Sequence, residues 1–219
     1  MQAGHPVLRQ GAHRVDVDVI GSDQFNDLIE QMVETMREAP GVGLAAPQIG
    51  LPLQLCVIEH RNEFVDAVPD DVRELHEKKP VPLTVLVNPV IKPVGKQATS
   101  FHEGCLSVAG WMAETPRYRR VKVEALDHNG EEVLLDWSGW PARIAQHEVD
   151  HLHGVLYVDR MDPKTFCTIQ SRLAAEFGEL DDDHFDYTFD VMRAELFDQD
   201  RDGNTDDNDD DNPDDDDRA

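Results

Sequence analysis

The chain has 219 residues, of which 40% are apolar, enough for one well-buried core and a single domain. Its 45 acidic residues against 20 basic ones give a formal net charge of −25, which argues against a nucleic-acid backbone or an anionic membrane surface as partner, since both attract basic patches. Three scattered cysteines make no disulfide framework, no apolar run has the length of a membrane span, and Met1 to Arg14 has neither a secretory nor a transit character, so a reducing cytoplasm is the expected compartment.

Phe25, Leu28, Ile29, Met32, Val33 and Met36 recur at helical spacing. They predict an amphipathic helix over 22–38, capped by Ser22 and stopped by Pro40-Gly41. Its Met and Phe side chains read as core. Gly41 to Gly50 is a loop of small residues leading into a strand over 53–59. It lacks the Lys-Ser/Thr ending of a phosphate loop and precedes a strand instead of opening a helix, so nucleotide binding is rejected. Residues 60–81 are polar and read as a surface excursion, and Leu83 to Ile91 reads as a buried strand. Tyr118 to Leu126 alternates charged with apolar residues and turns at Asn129-Gly130 into Glu131 to Trp137, a hairpin.

A helix is expected to open near Ser138, with Pro141 in its first turn, and to close at Gly154. Another is expected from Asp162 to Phe177, with Phe166, Ile169, Leu173 and Phe177 inward and Gly178 as its stop. Residues 181–197 read as weakly ordered. Residues 198–219 hold twelve Asp and two Arg, an acidic tail too polar to offset the entropy of ordering it. Within it, Asp198 to Gly203 copies the opening of a calcium loop, with Asp209 where a bidentate Glu is expected, a spacing that so many Asp produce readily. The fold class read from these elements is α+β: antiparallel strands around a central metal-binding helix, with N- and C-terminal helices.

That central helix carries His147-Glu148-Val149-Asp150-His151. Positions i and i+4 of a helix lie one above the other, so two imidazoles can grip one ion while Glu148 stands beside it as a base for an attacking water. The pattern needs a third ligand. A further downstream His fails, because Tyr157 occupies its position. Glu176 or Glu179 would make a thermolysin-like peptidase. Cys105, in Glu103-Gly104-Cys105-Leu106-Ser107, would supply a thiolate from a turn of small residues. Cys56 and Cys167 sit in apolar runs and read as inert buried thiols.

Taken together and in order, Gly41 to Gln48, Glu103 to Ser107 and Gln146 to Leu152 resemble the three signature motifs of peptide deformylase, the metalloenzyme that removes the formyl group from the N-terminal methionine of new proteins. The similarity covers roughly residues 5–170. The run Ser107 to Trp111, with Ser138-Gly139-Trp140, resembles the branch that includes organelle-type enzymes, and Ala109 stands where many bacterial members carry proline.

The resemblance implies a catalytic domain over 1–180 that releases formate from the formylmethionyl ends of nascent chains at the ribosome. It implies that Cys105, His147 and His151 hold one divalent ion, ferrous iron in the family, with zinc, nickel or cobalt able to substitute. Glu148 would carry the proton from water to the departing amine, and the Gln48 side-chain amide and the Leu106 backbone N–H would face the developing oxyanion. Trp140, Ile144, His147 and His151 fall at i, i+4, i+7 and i+11. Trp140 and Ile144, with Val42, would therefore hold the methionine side chain, while the Gly41 to Ala45 backbone pairs with the peptide as an added strand. Gly43 and Gly104 count among the substrate-binding positions. Two rival readings differ at single residues: a metallopeptidase would use Glu176 or Glu179 in place of Cys105, and a non-catalytic metal module would tolerate loss of Glu148.

Overall fold

Leu55, Cys56, Val57 and Ile58 are all buried, whereas a strand with one wet face would bury only alternate residues. The reason is that this strand is covered on both sides. Leu55 and Val57 pack with Phe25, Ile29, Met32, Val33 and Met36 of the N-terminal helix, and Cys56 and Ile58 pack with Ala142, Ile144 and Ala145 of the histidine helix.

The computed structural model describes residues 1–39, 41–66 and 70–177. Within them the order is α1 (Asp23–Glu38), β1 (Gly43–Ala45), β2 (Leu55–His60), α2 (Asn62–Asp66), α3 (Asp70–Leu75), β3 (Val81–Pro93), β4 (Ala98–Gly104), β5 (Trp111–Tyr118), β6 (Arg120–Leu126), β7 (Glu132–Ser138), α4 (Trp140–Leu152), β8 (Cys167–Thr168) and α5 (Ile169–Phe177). Two antiparallel sheets result, one ordered β1-β2-β3-β6-β7 and the other β4-β5-β8. The α+β class expected from the sequence is the class observed, and α4 touches strands of both sheets.

Helix α1 starts where expected, with the Ser22 hydroxyl accepting from the Phe25 N–H. Helix α4 also starts as expected, after Gly139 at φ +66°, with Pro141 in its first turn. A Cβ at residue 139 would run into the Cβ of Glu77 and lie 3.1 Å from its carbonyl, so only glycine serves here.

Several expectations need correcting. The small-residue loop 41–50 contains an edge strand, β1, registered Gly43 to Ile58 through Ala45 to Cys56, followed by a 3-10 helix, Ala46–Ile49. The excursion 60–81 contains two short helices, α2 and α3. Tyr118 ends β5 instead of opening β6, and the β4–β5 hairpin, Ala98 paired with Tyr118 through Gly104 with Met112, lacks the apolar alternation that would have marked it. The C-terminal helix begins only at Ile169. Pro163–Thr165 is a 3-10 turn capped by Asp162, and Cys167–Thr168 pairs with Trp111 and Met112, which ends any helix there. Consequently Phe166 is 39% exposed and stacks on Trp111 at 4.8 Å, and Cys167 is half-buried, whereas Cys56 is the fully buried thiol expected. The side chains of Leu173 and Phe177, Gly178, the extension 181–197 and the acidic tail lie outside the described residues.

Candidate active site

His147 and His151 project from successive turns of α4, and Cys105 approaches them from the turn that follows β4. The Cys105 sulfur and the ligand nitrogens of both histidines lie within 4.8 Å of one another, with Sγ 3.4 Å from Nε2 of His151. One soft sulfur and two imidazoles are a donor set for a borderline divalent metal. His147 points its other ring nitrogen at the buried Glu103: Nδ1 to Oε2 is 3.1 Å. That contact fixes the ring so that Nε2 faces the cluster. Burial alone would lower the basicity of His147, but the charge on Cys105, hydrogen bonds with Cys105 and Glu103, and the Glu148 charge raise its pKa well above the usual imidazole value. A cation among these donors meets that same negative field. His151 moves the opposite way, lowered well below the ordinary range by burial and by the His147 and Arg117 charges.

Glu148 is 4% exposed, and its Oε2 finds no hydrogen-bond partner among the described residues. Burial pushes its carboxyl up to about 7, against the pull of His147 and Arg117. It packs directly on Gly43 of β1, where an added Cβ would come within 2.6 Å of Cδ and 2.8 Å of Cγ, and closer still to Oε1. Gln48, 5% exposed, accepts from the Ala45 N–H at 2.8 Å through Oε1. This turns its Nε2 toward the Ser107 hydroxyl at 3.3 Å and the Cys105 sulfur at 3.7 Å. Leu106 sits between them, its carbonyl accepting from Gln2 at 2.8 Å, and the Ala3 N–H donates to Ser107 at 2.7 Å, so residues 2 and 3 brace the turn. Gly104 is exposed at the end of β4. Val42, Ile144 and Trp140 belong to one apolar cluster, with Ile144 buried and Trp140 beside His60 and under Lys78 at the start of α4. Cys105, not a glutamate, completes the cluster among the described residues; the Glu176 side chain and Glu179 lie outside them.

With this geometry in hand, the family profile described as Polypeptide deformylase matches residues 1–166. The chain belongs to that family. It is 47% identical to chloroplastic peptide deformylase 1A of Solanum lycopersicum over 171 residues, covering 78% of this chain and 62% of that protein. It is 42% identical to the mitochondrial peptide deformylase of Homo sapiens over 168 residues, covering 77% and 69%. Against the plant 1A relatives of S. lycopersicum and Arabidopsis thaliana, the match spans a little under two thirds of their length, 62% and 63%. A class I type b peptide deformylase of Acinetobacter baumannii, solved with Met-Ala-Ser bound, superposes with a TM-score of 0.64 at 33% identity, covering 73% of this chain and 95% of that one. No helix among the described residues is long and apolar enough to cross a membrane.

In this deformylase-family chain the Cys-His-His cluster rests on buried charges that carry no ligand signal of their own in the sequence. Arg117 of β5 grips Glu103 with two bonds, Nε to Oε1 at 3.0 Å and Nη2 to Oε2 at 2.9 Å, and reaches Asp150 with Nη1 at 2.5 Å. Asp150 in turn accepts two bonds from Arg160, at 2.7 and 2.8 Å. Burial would raise the Glu103 carboxyl, but its bonds to His147 and Arg117 hold it well below the carboxylate range. Two signals could have pointed here: Glu103 and Asp150 each sit inside a motif, and Arg143 lies one turn before His147.

Proposed function

We propose that this chain is a peptide deformylase, a hydrolase that removes the formyl group from N-terminal formylmethionine and releases formate. The observation that carries the reading is a buried carboxyl, Glu148, packed on Gly43 beside a Cys-His-His cluster. Cys105, His147 and His151 would hold one divalent ion, ferrous iron with zinc, nickel or cobalt as substitutes, and the ion would acidify water and polarise the formyl carbonyl. Glu148 takes the proton from the attacking water. A general base works best with a pKa near the operating pH, and burial pushes the Glu148 carboxyl upward from the ordinary carboxylate value. The same carboxyl then gives the proton to the amine as the C–N bond breaks. Gln48 Nε2, aimed by the Ala45 N–H, and the Leu106 backbone N–H face the oxyanion.

Val42, Ile144 and Trp140 would hold the methionine side chain, supported by their packing in one apolar cluster; Gly43, whose Cβ space is taken by Glu148, and the exposed Gly104 would flank the peptide backbone. The substrates are formylmethionyl peptides of nascent chains at the ribosome, in keeping with the Met-Ala-Ser peptide bound to the A. baumannii deformylase. The formal charge of −25 speaks against nucleic acid or an anionic membrane as a direct partner, and the free cysteines fit the cytoplasm.

The test measures formate release and metal content together, on anaerobically prepared protein. Glu148→Ala keeps its ion and loses about 10²- to 10⁴-fold in turnover, because one residue performs both proton transfers. Cys105→Ala loses ion and activity together. A metal-replete, active Cys105→Ala protein would favour the peptidase ligand set, and full activity in Glu148→Ala would sink the mechanism.

A further inference from the structure

Arg143 sits on α4 one turn before His147, on the same face, and is 4% exposed. Burying a guanidinium is costly unless every donor is matched, and here its donors find three acceptors. Nη1 donates to Glu103 Oε1 at 2.6 Å and to the Thr115 carbonyl at 2.8 Å, and Nη2 donates to the Thr99 carbonyl at 2.8 Å. Its guanidinium carbon lies 5.1 Å from the centre of the Phe101 ring, two residues along β4 from Glu103. Arg143 therefore ties α4 to the backbones of β4 and β5 and, at the same point, holds one oxygen of the carboxylate whose other oxygen meets His147.

We propose that Arg143 is a positioning residue for the metal ligand His147, acting through Glu103. Arg117 also binds Glu103, but Arg117 is shared with Asp150 and would carry the carboxylate with it if that pair shifted. Arg143 is anchored to two main-chain carbonyls of the second sheet, which have no rotamers to change. It fixes the carboxylate plane, the carboxylate fixes the Nδ1 side of the ring, and Nε2 is left aimed at the cluster with Cys105. The device needs a planar fork, since a lysine offers a point charge and cannot meet a carboxylate and two carbonyls in that geometry. The inference rests on the metal site and reaction proposed above and names a residue that neither uses directly.

The experiment follows metal, not turnover, in the full chain. Zinc-loaded wild type, Arg143→Met, Arg143→Lys, Glu103→Gln and the two double variants are challenged with a chelating dye to measure release rates, and the cobalt-loaded forms are read by their visible absorption. Losing a partner behind a metal ligand costs about 10- to 100-fold in affinity. Arg143→Met is expected to release metal faster by that order and to change the cobalt spectrum, Arg143→Lys to recover little of it, and either change at Arg143 to add under about twofold once Glu103 is already Gln. Wild-type release from Arg143→Met, full recovery with Lys, or equal effects with and without Glu103 would each overturn the proposal. Should Arg143→Met not fold, the Lys variant, which keeps the buried charge, carries the same cycle. Formate release by the wild type is scored separately, so failure of the deformylase reading and failure of this one give different results.

Discussion

Replacing Gly43 by Ala puts a methyl group where the structure has Glu148. The added Cβ would lie 2.6 Å from Cδ and 2.8 Å from Cγ of that side chain. Carbon atoms pack at about 3.5–4.0 Å, so the carboxyl must retreat by roughly 1 Å. It has little room: Glu148 is 4% exposed, and α4 is pinned between the sheets by Arg143, Gln146 and Asp150. Overpacking of this kind costs about 1–3 kcal/mol of stability. A 1 Å displacement of a reacting group costs about 10²-fold in rate. Gly43→Ala is therefore expected to fold, to bind metal at full stoichiometry because the clash touches none of Cys105, His147 and His151, and to lose about 10²-fold in kcat/KM. Formate release from a formyl-Met peptide, metal content and a thermal melt decide it. Wild-type kcat/KM would refute the reasoning outright, and loss of metal with activity would show that the clash is relieved through the histidines instead.

Glu148 also gives a pH signature in chelated protein. Its folded pKa of about 7 exceeds the ordinary 4.5, so the native state holds a proton the unfolded chain has released, and stability falls as pH rises through that window. Melts of wild type and Glu148→Gln should diverge between about pH 4.5 and 7, with the variant's slope flatter; parallel curves would rule this out. Asp150→Ala removes the partner of Arg117 and Arg160. The buried Arg117 keeps its two bonds to Glu103 and loses one charged hydrogen bond, at a cost of about 1.5–3 kcal/mol, a melting drop of roughly 3–12 °C for a chain of this size. Arg160→Ala, at a side chain 48% exposed, should cost under about 1 kcal/mol, and equal drops for the two variants would contradict this partition. Truncation after Phe197 is expected to leave turnover and melting unchanged. Submicromolar calcium binding abolished by that truncation would give the tail a role.

Local chemistry made much of this chain readable in advance. Helix α1 announced itself by its stripe and its Ser22 cap, β6–β7 by alternation and Asn129-Gly130, and α4 by Pro141 and its histidine spacing, because each signal depends only on neighbours within one or two turns. His147 and His151 were legible from their spacing on one helix, whereas Cys105 stood beside Glu176 and Glu179 as a third-ligand candidate until the resemblance of the three motifs favoured it. Long-range pairing decided the rest. Strand β1 exists only because β2 lies beside it, β8 ends the expected C-terminal helix only because β5 offers an edge, and β4 reads as polar because Glu103 faces a buried arginine pair instead of apolar core. The pairing of the charges beneath the site was hidden for the same reason. Glu103, Arg117, Arg143 and Asp150 are separated by up to 47 positions, and in a sequence each looks like a solvated surface charge. Only the packing of α4 against the second sheet removes their water and makes them depend on one another.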